Sequence, residues 1–169
     1  DVAPSRGLGD VYKRQSLPSG EATTGKISYE MRIENVARET AEFCGFSQGM
    51  TYSFESPRVF DKLLIPEDSP LRQTVEISNP LGEDFSIMRT LPLNGILTSL
   101  ATNYNRRNKD VSLYEMAKVY LPNALPLTEL PDERVQFTLA SYGEGDFFTM
   151  KGVVAVSYTH LTLPTTPYV

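Results

Sequence analysis

The chain has 169 residues, 40% hydrophobic and 22% charged, room for one domain with a buried core and too little for two large ones. A formal net charge of −5 argues against a domain whose main work is gripping nucleic acid through phosphates, although a local basic cluster can still make a minor contact. One cysteine and one histidine exclude an internal disulfide and a zinc site of the usual nitrogen–sulfur kind, and no apolar run is long enough to span a membrane, so a cytoplasmic protein without a membrane partner is expected.

Both ends read as translated adapter. Ser5 to Gln15 is SRGLGDVYKRQ, and its last six residues back-translate as GAT GTG TAT AAG AGA CAG, which fits the mosaic end used by library-making transposases. Val156 to Thr165, VSYTHLTLPT, fits the reverse complement of the same element running into a second adapter. Residues 1–15 and 156–169 are therefore expected to be non-native and are set aside before fold reasoning. His160 lies in the second segment, so the stretch from Ser16 to Ala155 has no histidine. Triads and dyads that use histidine as base are excluded on that basis.

Residues 16–25 are rich in Ser, Thr, Gly and Pro and read as a linker. Ser28 is a helix N-cap with Glu30 in the first turn. Ile33, Val36, Ala37, Thr40, Ala41 and Cys44 follow at helical spacing, and Gly45 is the stop. Cys44 on that stripe is a small buried residue rather than a nucleophile, since no histidine is available to activate it. Met50 to Phe54 reads as a strand, and Ser56-Pro57 as the start of a short helix with Phe60, Leu63 and Leu64 inward. Thr74 to Ser78 alternates like a strand and closes at Asn79-Pro80.

Thr90-Leu91-Pro92 opens the strongest helix, with Leu93, Ile96, Leu97, Leu100, Ala101 and Tyr104 as a core stripe. Asn103 to Asp110 leaves that helix and carries Arg106, Arg107 and Lys109 in one basic patch. Val111 to Tyr120 and Val135 to Tyr142 read as strands around a proline-bounded loop. Asp146 caps a last helix, with Phe147, Met150 and Val154 expected inward. The order predicts an α+β domain: a mainly antiparallel sheet flanked by helices.

Several stretches together resemble one family. Cys44-Gly45-Phe46 with MTYSFESP, NPLGEDFSIMRT (Asn79 to Thr90), NRRNKDVSLYEMAKVYLP (Asn105 to Pro122), Leu130-Pro131-Asp132-Glu133, and Asp146-Phe147-Phe148 with Lys151-Gly152 are similar, in order and spacing, to the bacterial phenylalanyl-tRNA synthetase β subunit. The resemblance covers about Ile27 to Val153. It implies a class II aminoacyl-tRNA synthetase-like fold over residues 26–155, truncated, in the module that mimics the α subunit's catalytic domain. It also implies partners (the α subunit, and tRNA-Phe through the whole enzyme) and the cofactors ATP and Mg²⁺ for the whole enzyme, with none held by this piece.

The α subunit carries a VYR element whose arginine meets the ATP phosphate. Val119-Tyr120-Leu121 corresponds to it here, with Leu121 in the arginine's place. Its next strand carries Phe-x-Gln-x-Glu, matched here by Phe137, Leu139 and Ser141. An aliphatic side chain cannot neutralise phosphate charge, so no catalytic residue is expected in this segment and the resemblance implies a structural, subunit-assembly role.

Four residues remain as candidates for structure or interface. Arg89 either fixes an inter-subunit sheet or loop, or forms an ordinary salt bridge with Glu83 or Asp84. Arg106, Arg107 and Lys109 either touch tRNA or an acidic partner surface, or are a solvated helix exit. A nucleic-acid-contacting module built on that patch is the alternative function. Asp61, Glu67 and Asp68 lack metal-ligand spacing, and Gly143-Glu144-Gly145 reads as a turn.

Overall fold

The computed structural model describes residues 19–21 and 24–162. In chain order it contains helix α1 (Tyr29–Phe43), strands β1 (Ser47–Gln48) and β2 (Phe54–Glu55), and a single turn of helix α2 (Val59–Lys62). After two 3-10 turns (Pro70–Arg72 and Glu83–Phe85) come β3 (Ile87–Met88), helix α3 (Leu93–Asn105), the long strands β4 (Val111–Leu121) and β5 (Asp132–Tyr142), and helix α4 (Phe147–Thr162).

The sheet is mixed. β4 and β5 form an antiparallel pair in register from Val111↔Tyr142 to Leu121↔Asp132, and β1 joins the other edge of β4 in parallel. A second ladder pairs β2 with β3 through Phe54↔Met88 and Glu55↔Ile87. Along β4 the even positions Tyr114 and Met116 face α1 and α4, where they pack with Ala41, Phe46, Phe137, Leu139, Met150 and Val153. Odd positions face the other way, and Glu115 meets Thr51 and Arg89 there. A second apolar cluster of Val59, Phe60, Ile87 and Leu91 lies under α2 and β3.

Local signals explain the long elements. Ser28 Oγ accepts from Met31 N at the start of α1, and Gly45 takes φ +87° beyond its end, a conformation that costs glycine little. Asp146 Oδ1 accepts from Thr149 N at 2.9 Å at the start of α4.

Elsewhere tertiary bonds override the local pattern. Met50 to Phe54 is not a strand except at Phe54. Thr51 N donates to a Glu115 carboxylate oxygen and the Arg89 side chain takes Tyr52 O, so side chains occupy two of the groups a ladder needs, while Ser53 O accepts from the Arg89 backbone N. Thr74 to Ser78 keeps one bridge, Glu76↔Ile87, flanked by Ile77 N to Ser86 O and Met88 N to Val75 O. The helix expected at Ser56-Pro57 starts at Val59, whose N–H bonds Ser56 O.

Two apolar stripes are only partly covered. On α3 Ile96 and Leu100 are buried, while Leu93, Leu97 and Tyr104 are exposed. On α4 the inward residues are Met150 and Val153; Phe147 and Val154, expected inward, are exposed, because the packed face follows the phase of Met150, Val153 and Ser157.

Helix α4 continues past Ala155, so residues 156–162, set aside on sequence, are helical here. Residues 1–15, the rest of the linker up to residue 18, residues 22 and 23, and residues 163–169 lie outside the described residues. Among the described residues no helix is long and apolar enough to cross a membrane.

Candidate functional site

Arg89 follows β3 directly and is 4% exposed. Its Nε donates to Lys118 O at 2.8 Å, and its Nη1 donates to Glu115 Oε1 at 3.1 Å, Thr51 Oγ1 at 3.0 Å and Tyr52 O at 3.4 Å. The backbone is committed as well: Arg89 N bonds Ser53 O, and Tyr120 N bonds Arg89 O. One residue therefore stitches the 51–53 loop, β3 and β4 together. The carboxylate partner is Glu115, not Glu83 or Asp84, which sit on the exposed 3-10 turn.

Thr51 completes the group. Its hydroxyl accepts from Arg89 and donates to Glu115, whose oxygens lie at 2.9 and 3.0 Å. Gly95 on α3 packs against Thr51 so closely that an added Cβ would lie 2.6 Å from Thr51 Cβ. Neither Glu115 nor Thr51 stood out in sequence. An acid in the middle of an apolar strand was the available signal, since a buried carboxylate demands a cation nearby.

Glu55 sits beside this group and is 4% exposed. Asn94 Nδ2 donates to its Oε1 at 3.2 Å, while Oε2 is buried without a hydrogen-bond partner among the described residues. Burial pushes the carboxyl above the ordinary glutamate value, against the lowering effects of Asn94 and the Arg89 charge. Glu55 lines a cleft of about 640 Å³ between the 50–55 segment, Phe85 and the first turns of α3.

The basic residues lie apart from these. Arg106 is the C-cap of α3, Arg107 adopts φ +62°, and both, with Lys109, are exposed. Among the described residues none of the three forms a salt bridge. Their turn is held by Asn108 Nδ2 to Asn103 Oδ1 at 2.7 Å and by Tyr142 Oη to Asn108 O at 3.0 Å.

The positions matched to the α subunit's substrate-binding residues fall at the end of β4 and along β5. Leu121 pairs with Asp132, and Phe137 and Leu139 pack into the main core. Among the described residues no three or more His, Cys, Asp or Glu side chains gather to hold a metal. These residues do not fit a nucleotide phosphate with its Mg²⁺, and no chemical step through ATP is assigned to them.

The fold is that of an aminoacyl-tRNA synthetase core. It superposes on pyrrolysyl-tRNA synthetase from Desulfitobacterium hafniense with a TM-score of 0.62, over 79% of this chain and 47% of that one, at 16% identity. Residues 14–168 match the family described as the phenylalanyl tRNA synthetase beta chain CLM domain. The phenylalanine–tRNA ligase beta subunit of Clostridium acetobutylicum is 44% identical over 139 residues, covering 82% of this chain and 17% of that protein. That of Clostridium tetani is 44% identical over 173 residues, covering 99% and 21%. The chain belongs to the phenylalanyl-tRNA synthetase beta chain family, and it spans about a fifth of the length of these relatives.

Proposed function

We propose that the chain is a non-catalytic assembly segment of a cytoplasmic phenylalanine–tRNA ligase β subunit, with the α subunit as its partner and tRNA-Phe as the ligand of the whole enzyme. ATP and Mg²⁺ serve that enzyme elsewhere. The observation that supports the assembly role is the amount of large apolar surface left uncovered on two helices among the described residues. Tyr29, Met31, Ile33 and Phe43 of α1, and Leu93, Leu97 and Tyr104 of α3, are all exposed. Exposed apolar residues at this density mark a protein interface. The same reading keeps residues 1–15 and 156–169 as adapter-derived, which resequencing of the source DNA checks directly.

Co-expression with a bacterial α subunit tests the assembly role. Capture of the folded chain is expected, with Ile33→Glu on α1 and Leu97→Glu on α3 reporting which helix meets the partner. A folded chain that the α subunit ignores overturns it.

One observation favours a second reading. Arg106, Arg107 and Lys109 form a cluster without salt-bridge partners among the described residues, on a fixed turn beside the exposed Tyr104 ring. If the turn grips tRNA, affinity falls steeply with salt and Arg106→Ala with Arg107→Ala flattens that slope. Salt-independent or absent tRNA binding by the chain removes this reading.

A further inference from the structure

The group around Arg89 carries two carboxylates and one cation. The Arg89 guanidinium is committed to Glu115, Thr51, Tyr52 O and Lys118 O, and Glu55 interacts electrostatically with both Arg89 and Glu115. One negative charge remains uncompensated when Glu55 ionises. Its Oε2 is buried and lacks a hydrogen-bond partner among the described residues, a costly state for a carboxylate.

The cleft that Glu55 lines has the complementary features. Met50, Tyr52, Phe54 and Phe85 make its apolar wall, and the Tyr52 and Phe85 rings stand edge to face with centroids 6.2 Å apart. Glu55 and Asn94 are among its polar residues, and no lysine or arginine among the described residues lines it. The acids Glu83 and Asp84 precede Phe85 on the same exposed turn. An anion is repelled by this arrangement. A bare divalent ion finds no gathered ligand set among the described residues.

We propose that this cleft receives a basic side chain, arginine or lysine, presented by a partner polypeptide. The proposal rests on the assembly reading for the existence of a partner, and on the geometry for what that partner must carry. Aromatic and methionine walls suit the aliphatic stem of such a residue, and ring faces attract its charged head. Glu55 Oε2 is covered, so a full hydrogen bond to it requires the cleft wall to shift as the cation enters. The net charge of the buried group is what draws the cation in. Because burial holds the Glu55 proton, binding at a pH below its raised value releases that proton.

The test uses the 169-residue chain with ¹³C-labelled methionine methyls and tyrosine rings. It is titrated with Nα-acetyl-arginine amide, Nα-acetyl-lysine amide and the neutral isostere Nα-acetyl-citrulline amide. Saturable shifts of the Met50 methyl and the Tyr52 ring are expected with the two cations and not with citrulline. Glu55→Gln should weaken binding about tenfold or more while circular dichroism stays native. Tyr52→Ala, an exposed position, is the second variant and should weaken arginine more than lysine. Equal shifts with citrulline, no saturable shift with any probe, or unchanged affinity in Glu55→Gln each overturn the proposal. So do shifts that follow protein concentration without ligand, which would make the occupant a second copy of the chain. No α subunit enters this titration, so its failure is distinguishable from failure of the capture experiment.

Discussion

Arg89 and Glu115, 26 residues apart in sequence, meet at 3.1 Å with both side chains 4% exposed. The pair joins the residue after β3 to the middle of β4, and it makes further hydrogen bonds with Thr51 and with the backbone carbonyls of Tyr52 and Lys118. Such a pair contributes modestly to net stability when intact, yet removing one partner strands the other charge in a low dielectric.

Arg89→Met alone, or Glu115→Leu alone, is therefore expected to destabilise the chain by about 3–5 kcal/mol. The double substitution Arg89→Met with Glu115→Leu should cost less than the sum of the two, because neither charge is then left alone. Urea denaturation of the three variants measures the coupling. Additive losses would show that the two groups do not act as a pair.

Gly95→Ala should destabilise by about 1–3 kcal/mol, since the new methyl would lie 2.6 Å from Thr51 Cβ and α3 would have to withdraw. Thermal unfolding reads the loss. Gly95→Ala combined with Thr51→Ser should lose about as much as Gly95→Ala alone, because serine keeps the Oγ and Cβ atoms that lie nearest the new methyl.

Glu55→Gln is expected to stabilise the chain near neutral pH. The folded-state carboxyl titrates above the ordinary value of 4.5, so the folded state holds its proton more tightly than the unfolded state does. Stability then falls as pH rises from that ordinary value through the raised one, and the penalty is complete above it. Glutamine keeps an oxygen for Asn94 and removes the charge. Denaturation at a series of pH values should show a downward step in the wild type that is smaller in Glu55→Gln; identical profiles would contradict the assignment.

Tyr114 is fully buried, and its hydroxyl donates to Glu42 Oε1 at 2.6 Å. Burial first, and then the Glu42 contact, push its phenol up to about 12. The stabilisation that accompanies this shift is complete below pH ~10 and is lost as pH rises through the folded value. Ultraviolet titration should show one tyrosine ionising last, and Tyr114→Phe should abolish that phase. The same substitution should cost about 1 kcal/mol, the net worth of an ordinary hydrogen bond.

Arg107, at φ +62°, occupies a conformation that glycine adopts without the cost of a Cβ. Arg107→Gly is expected to be neutral to stabilising by up to about 1 kcal/mol, despite the entropy that glycine adds to the unfolded chain. A clear loss of stability would mean that the Arg107 side chain makes a contact that holds the turn.

The sequence by itself determined the family, through five short stretches in order, and the elements whose signals are local. Helix α1 is legible from its Ser28 cap and Gly45 stop, α3 from a long apolar period, and β4 and β5 from their composition. Backbone neighbours within a few residues supply the forces behind those signals, so a linear reading recovers them. Only the tertiary structure decided the rest. It chose Glu115 over Glu83 and Asp84 for Arg89, turned Met50 to Ser53 from a strand into a loop bonded largely by side chains, buried Glu55, set the inward face of α4, and left four of the six α3 stripe residues open. Each of these depends on which distant segments come together and on the desolvation of charge they impose there. A charged side chain exposed in the linear pattern and one buried beside a cation are written with the same letter, and burial alone separates them.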